Sequence, residues 1–98
     1  MASSKAYIME LSIEMYLESC HSLKGKRQVV KSVIDRLRKN YNASVAEIAF
    51  QDSWQRCSLG LAMISSDTQV LQKQAHTIEN FLRDCKDVEL IRVDSTLI

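Results

Sequence analysis

Four basic side chains, Lys24, Arg27, Lys31 and Arg38, follow one another at spacings of three, four and seven residues. On a helix turning 100° per residue these spacings gather all four into one strip. A strip of closely spaced cations suits one task, tracking the phosphates of a polyanion while displacing its counterions. Between Lys24 and Lys39 lie seven of the thirteen basic residues and a single acid, Asp35. The formal net charge is only +1, so the positive charge is segregated and not general. Asp35 stands four residues after Lys31 and four before Lys39, and so offsets part of the strip. Lys39 reads as lying further round the helix, with Arg36 and Lys26 on the other flank. About four phosphate contacts correspond to a log–log salt slope of about −3 to −4.

Two other constellations carry potential chemistry. Gln51-Asp52-Ser53-Trp54-Gln55-Arg56 joins polar side chains to the chain's single tryptophan. Trp and Arg anchor protein interfaces and also stack on nucleobases. Trp54 and Arg56 are therefore candidates for a partner or subunit contact. The plainer alternative packs Trp54 over the sheet edge and pairs Arg56 with Asp52 or Glu47. Cys20-His21 has the residue types of a nucleophilic dyad. Neighbours in a loop rarely aim at one another, however, and a third orienting group is missing. Cys20 precedes a helix N-terminus, a position that lowers a thiol pKa. Cys20, Cys57 and Cys85 are widely spaced with no Cys-x-x-Cys pair, which argues for free thiols and against a zinc site or a disulfide framework. No phosphate-cradling Gly-rich loop is present. The expectation is no catalytic residue, no metal, no cofactor and no enzymatic activity.

The elements that must position these residues follow from periodicity. Tyr7 to Leu17 alternates, with Met9, Leu11, Ile13, Met15 and Leu17 on one face, and reads as a half-buried strand. From Ser22, a plausible N-cap, the period becomes helical through Leu23, Val30, Ile34, Leu37 and Tyr41. This helix is expected to end at Asn40 to Asn42, residues that tolerate left-handed geometry. Ser44 to Phe50 reads as a second strand and Arg56 to Ile64 as a third. Ser66 with Gln69 has capping-box spacing and starts a second helix with Val70, Leu71, Ala75, Ile78, Phe81, Leu82 and Cys85 on its apolar face. Val88 to Ser95 is the last strand, its alternation less clean.

The order βαββαβ predicts an α+β, ferredoxin-like domain over residues 6–98 after a disordered lead at residues 1–5. Its antiparallel four-stranded sheet has order 4-1-3-2, with both helices on one face. The other, open face then shows Ile8, Glu10, Ser12, Glu14 and Tyr16 beside Ser58, Gly60, Ala62 and Ile64. RNA-recognition motifs share this architecture and stack bases on aromatics of the two central strands. Here those strands present two carboxylates and one aromatic, so the open face is expected to pack against another subunit instead. Gly60 and Ala62 are small enough for close approach there. Other ferredoxin-like chemistries lack their parts. Leu17 to His21 matches neither the phosphate loop of acylphosphatases nor the paired cysteines of metallochaperones.

A hydrophobic content of 46% supports one packed core in 98 residues. The longest apolar run, Leu59 to Ile64, is too short to span a bilayer, and no signal-peptide pattern opens the chain. A cytoplasmic location without membrane association is the expectation.

His21-Ser22-Leu23-Lys24-Gly25-Lys26-Arg27, Lys31 to Arg38, Ser44 to Ile48 and Gln51 to Arg56 closely resemble the YlxP-like family of small bacterial proteins of unknown function. The likeness continues through Leu59-Gly60 and Ser66-Asp67 to Val88-Glu89-Leu90. The resemblance implies a ferredoxin-like domain in a bacterial cytoplasm. It also implies genes beside those of translation initiation factor two and ribosome-binding factor A. The chain departs from the family at Gly25, where members commonly carry Glu, and at Glu18-Ser19-Cys20, which stand for Pro-Gly-Ser. The leading expectation is a non-enzymatic accessory protein, associated with RNA or the ribosome through Lys24, Arg27, Lys31 and Arg38. The alternatives are a homo-oligomeric protein-interaction module with the open sheet as interface, and a small-ligand regulatory domain.

Overall fold

The computed structural model describes residues 4–98, so the first three residues of the expected lead lie outside the described residues. Six elements follow in the order β1 (Tyr7–Tyr16), α1 (Leu23–Asn40), β2 (Ser44–Ala49), β3 (Arg56–Ser65), α2 (Thr68–Arg83) and β4 (Glu89–Leu97). The strands form one antiparallel sheet of order β2-β3-β1-β4, the predicted order read from the opposite edge. The strict alternation of β1 buries Met9, Leu11, Ile13 and Met15 against both helices. Leu59, Leu61 and Met63 of β3, Val30, Val33 and Leu37 of α1, and Leu71, Ile78 and Leu82 of α2 complete this core. Burying such side chains contributes about 1.5–3 kcal/mol each, which makes this layer the main source of stability.

The caps agree with expectation at one helix and differ at the other. Ser22 caps α1, its Oγ accepting from the Gly25 N–H at 3.0 Å. The Ser66–Gln69 box does not form. Asp67 caps α2, accepting from the Gln69 N–H at 2.9 Å, while Ser65 Oγ accepts from the Asp67 N–H at 3.1 Å. An aspartate adds a negative charge where the helix dipole favours one. α1 ends at Asn40 with Tyr41 as its C-cap, within the expected Asn40 to Asn42, and the cap is extended and not left-handed.

Both edge strands carry irregularities. In β4 the pairs Glu14↔Arg92 and Met15↔Leu90 leave Ile91 as an extra residue. This bulge breaks the alternation seen in the sequence. In β2 the register shifts between Glu47 and Ala49, so Ile48 is the bulged residue. The strand stops one residue before Phe50, which adopts φ 65°, the sole positive φ of a non-glycine among the described residues.

Candidate functional site

Lys26 reorganises the sequence-based picture of α1. It does not lie on the other flank with Arg36, the position expected from the sequence. It is fully buried, between the core and the β2–β3 turn. Its Nζ donates to Glu47 Oε2 at 2.6 Å and to the Phe50 carbonyl at 2.8 Å, with the Gln51 carbonyl at 3.5 Å. The signal was available, since Lys26 precedes Val30, Val33 and Leu37 by four, seven and eleven residues and so belongs to the apolar stripe itself. A lysine is tolerated there because a carboxylate and two carbonyls replace its water.

This anchor holds the β2–β3 turn. The Phe50 carbonyl accepts from Lys26 and also from the Ser53 N–H at 3.0 Å. A bulky residue in left-handed conformation costs on the order of 1–3 kcal/mol and persists only where its surroundings over-determine it. The effect is to turn the Phe50 ring onto the open sheet face, where the guanidinium of Arg56 lies over it at 4.0 Å from the ring centre. Arg56 pairs with Glu14 of β1, not with Asp52 or Glu47. Asp52 lies in the turn, and Glu47 is taken by Lys26. Arg56 is aligned with Tyr16 in register and so shares the open face with Glu14. Trp54 is 53% exposed. Nothing local in the sequence marks Phe50 as left-handed, and sequence reasoning missed the open-face aromatic for that reason.

Lys24, Arg27, Lys31 and Arg38 are all exposed along one flank of α1. They are not equally free. Lys31 Nζ pairs with Asp35 Oδ2 at 2.7 Å, and Arg38 Nη2 donates to the Val45 carbonyl at 2.8 Å. That carbonyl belongs to edge strand β2, so the flank runs along the β2 side of the molecule. Gln51 Nε2 likewise reaches the Glu47 carbonyl at 3.4 Å, and the two side chains cover carbonyls of an otherwise open edge. Lys24 and Arg27 make no hydrogen bond or ion pair among the described residues. Because Lys26 touches Phe50 and Gln51, the start of α1 abuts the turn that carries Phe50 and Trp54 and leads into Arg56 of β3. The helix end that carries Lys24 and Arg27 is thus tied, through Lys26, to the turn that leads to Trp54 and Arg56.

Gly60 and Ala62 lie in a shallow depression of about 300 Å³ on the open face. A Cβ on Gly60 would meet Ile48 Cγ2 at 3.2 Å, so the space at Gly60 serves a side chain of the same protein. A second depression, about 450 Å³, lies where the β1–α1 and α2–β4 loops meet and mixes Glu18, His21, Lys86 and Asp87. All three cysteines are buried. Burial pushes the Cys20 thiol up, with Asp87 adding and Lys26 opposing, so the net shift is upward although the thiol precedes a helix N-terminus. Cys57 is pushed up to about 12, first by burial and then by Glu47. Among the described residues no group of three or more His, Cys, Asp or Glu could hold a metal ion, and no helix is long and apolar enough to cross a membrane.

The chain is 34% identical over 76 residues to the uncharacterized protein YlxP of Bacillus subtilis (strain 168), covering 78% of this chain and 83% of that protein. Its backbone is similar to that of the de novo designed protein Foldit4, with a TM-score of 0.51 at 13% identity over 94% of this chain and 97% of that one. The second likeness concerns the fold alone, and the architecture it shares is the one derived above. Residues 8–95 match the family described as protein of unknown function (DUF503), and the chain belongs to that family.

Proposed function

We propose that this protein is a non-enzymatic accessory protein that binds single-stranded RNA, within or beside the ribosome. The β2-side flank of α1 holds the phosphates. The observation that carries this reading is the docking of the first turns of α1 on the β2–β3 turn through Lys26. It joins the end of α1 that carries Lys24 and Arg27 to the turn that carries the exposed Phe50 and Trp54, and single-stranded nucleic acid uses charge together with stacking surface. Lys31 adds to the strip because an exposed i,i+4 pair is worth about 0.3–0.5 kcal/mol and yields readily to a phosphate. The test is co-sedimentation with ribosomal subunits and anisotropy with labelled single-stranded oligoribonucleotides over a salt series. Binding that is absent at low salt, or unchanged when Lys24 and Arg27 are replaced by Gln, sinks the reading.

One observation favours a second reading, self-association through the open face. Ile8 and Ile64 are cross-strand partners there and are 41% and 54% exposed. Sedimentation of Ile64→Glu checks it. A wild-type oligomer that persists in this variant excludes that face.

A further inference from the structure

Two unfavourable features, a buried lysine and a left-handed phenylalanine, converge on one outcome. They hold the Phe50 ring against the open sheet face, where Arg56 stacks on it. Beside the pair lies a groove of about 290 Å³. Small hydroxyl side chains, Ser12 of β1 and Ser58 of β3, line it together with Glu14, Arg92 and Asp94.

We propose that this groove binds one unpaired purine base of single-stranded RNA, guanine in preference. The proposal rests on the reading of α1 as the phosphate contact and adds the site at which a base leaves the backbone path. The Arg56 guanidinium already lies over the Phe50 ring as a cation–π pair, and 37% of Phe50 and about half of the Arg56 side chain remain exposed. A base extends such a stack whatever its sequence, because every base has a π-face, and purines present the larger one.

The charges around the groove do not repel a base. Glu14 is paired with Arg56, and Asp94 Oδ2 with Arg92 at 2.7 Å. Each carboxylate is engaged through one oxygen, which leaves Glu14 Oε2 and Asp94 Oδ1 as acceptors. Arg92 is engaged through Nε, which leaves its terminal nitrogens as donors. Acceptors beside an arginine fork complement the N–H groups and O6/N7 edge of guanine. The phosphates stay on α1, around the β2 edge, away from the carboxylates.

The experiment compares three probes with the full chain: a labelled 12-nucleotide (GA)6 RNA, a labelled 12-nucleotide oligouridylate, and inorganic polyphosphate as competitor. The purine strand is expected to bind about ten-fold or more tightly than the uridylate. Phe50→Ala is expected to weaken purine binding about ten- to hundred-fold and to abolish the preference. Its salt slope should not change, because no phosphate contact is lost. Phe50→Trp should keep the preference. Arg56→Gln, at an exposed position, serves as the second variant if Phe50→Ala does not fold. Purine binding in these variants equal to wild type overturns the base site and leaves the phosphate reading standing. Polyphosphate that competes fully at equal charge does the same. No binding of any strand by the wild type at low salt overturns the phosphate reading, and the base site with it.

Discussion

Lys26 Nζ sits 2.6 Å from Glu47 Oε2, with the lysine wholly buried and the carboxylate only partly exposed. This pair ties α1 to β2, and through the Phe50 carbonyl it also sets the conformation of the following turn. Removing one partner of such a pair strands the other charge, so the two single substitutions should differ. Glu47→Leu leaves a buried ammonium with carbonyls alone and is expected to destabilise by about 3–5 kcal/mol. Lys26→Met leaves a carboxylate that water can reach and should destabilise by about 1–3 kcal/mol. The double variant is expected to recover part of the Glu47→Leu loss. Urea denaturation of all four proteins measures the cycle, and an additive result would show that the pair is not coupled.

Cys57 links stability to high pH. Its folded-state value of about 12 exceeds the ordinary thiol value, so the folded chain holds this proton more tightly than the unfolded chain. The sign follows: the contribution is fully present below about pH 9 and is lost as pH rises from about 9 to about 12. Cys57→Ala should therefore lose less stability over that window than the wild type does. Comparing the two pH series separates this thiol from the lysines and tyrosines that titrate in the same range. Parallel series would show that Cys57 ionises freely.

The N-terminus of α1 offers a local test. Ser22→Ala removes the acceptor for the Gly25 N–H and is expected to destabilise by about 1 kcal/mol. Gly25→Ala should act in the opposite sense, stabilising by about 0.5 kcal/mol. Its new Cβ would meet Ser22 Oγ at 3.3 Å, which an exposed hydroxyl can relieve, so most of the helix-propensity gain should survive. Thermal melts of the two variants measure both effects. A destabilised Gly25→Ala would mean that the cap cannot move.

The basic flank predicts a graded salt response. Four phosphate contacts on a single strand correspond to a log–log slope of about −3. Replacing Lys24 and Arg27 by Gln should bring it to about −1.5. Asp35→Asn frees Lys31 and should strengthen binding slightly at low salt. Asp35 is exposed, so the fold should be unaffected. Equal slopes for wild type and the Lys24/Arg27 variant would place the phosphate contacts elsewhere.

Local patterns determined a good part of this protein. The alternation of Met9, Leu11, Ile13 and Met15 and the spacing of Val30, Ile34 and Leu37 led to the strand order and the helix layer, because periodicity alone decides which side chains can be buried together. Ser22 was legible as a cap, since its role depends on atoms three residues away. Asp67 was not, because Ser66 offered an equally good local pattern and only the hydrogen bonds chose between them. The candidate site depended most on contacts across the chain. Arg56 could have paired with any of several nearby acids, and its partner proved to be Glu14, brought opposite by strand register. Lys26 stood in a basic run that resembled a solvated face, yet the tertiary structure buried it against Glu47, twenty-one residues away. Short-range spacing sets which face of an element a residue occupies. Only the assembled layers decide which charges lose their water, and here that choice turned Phe50 onto the open sheet face.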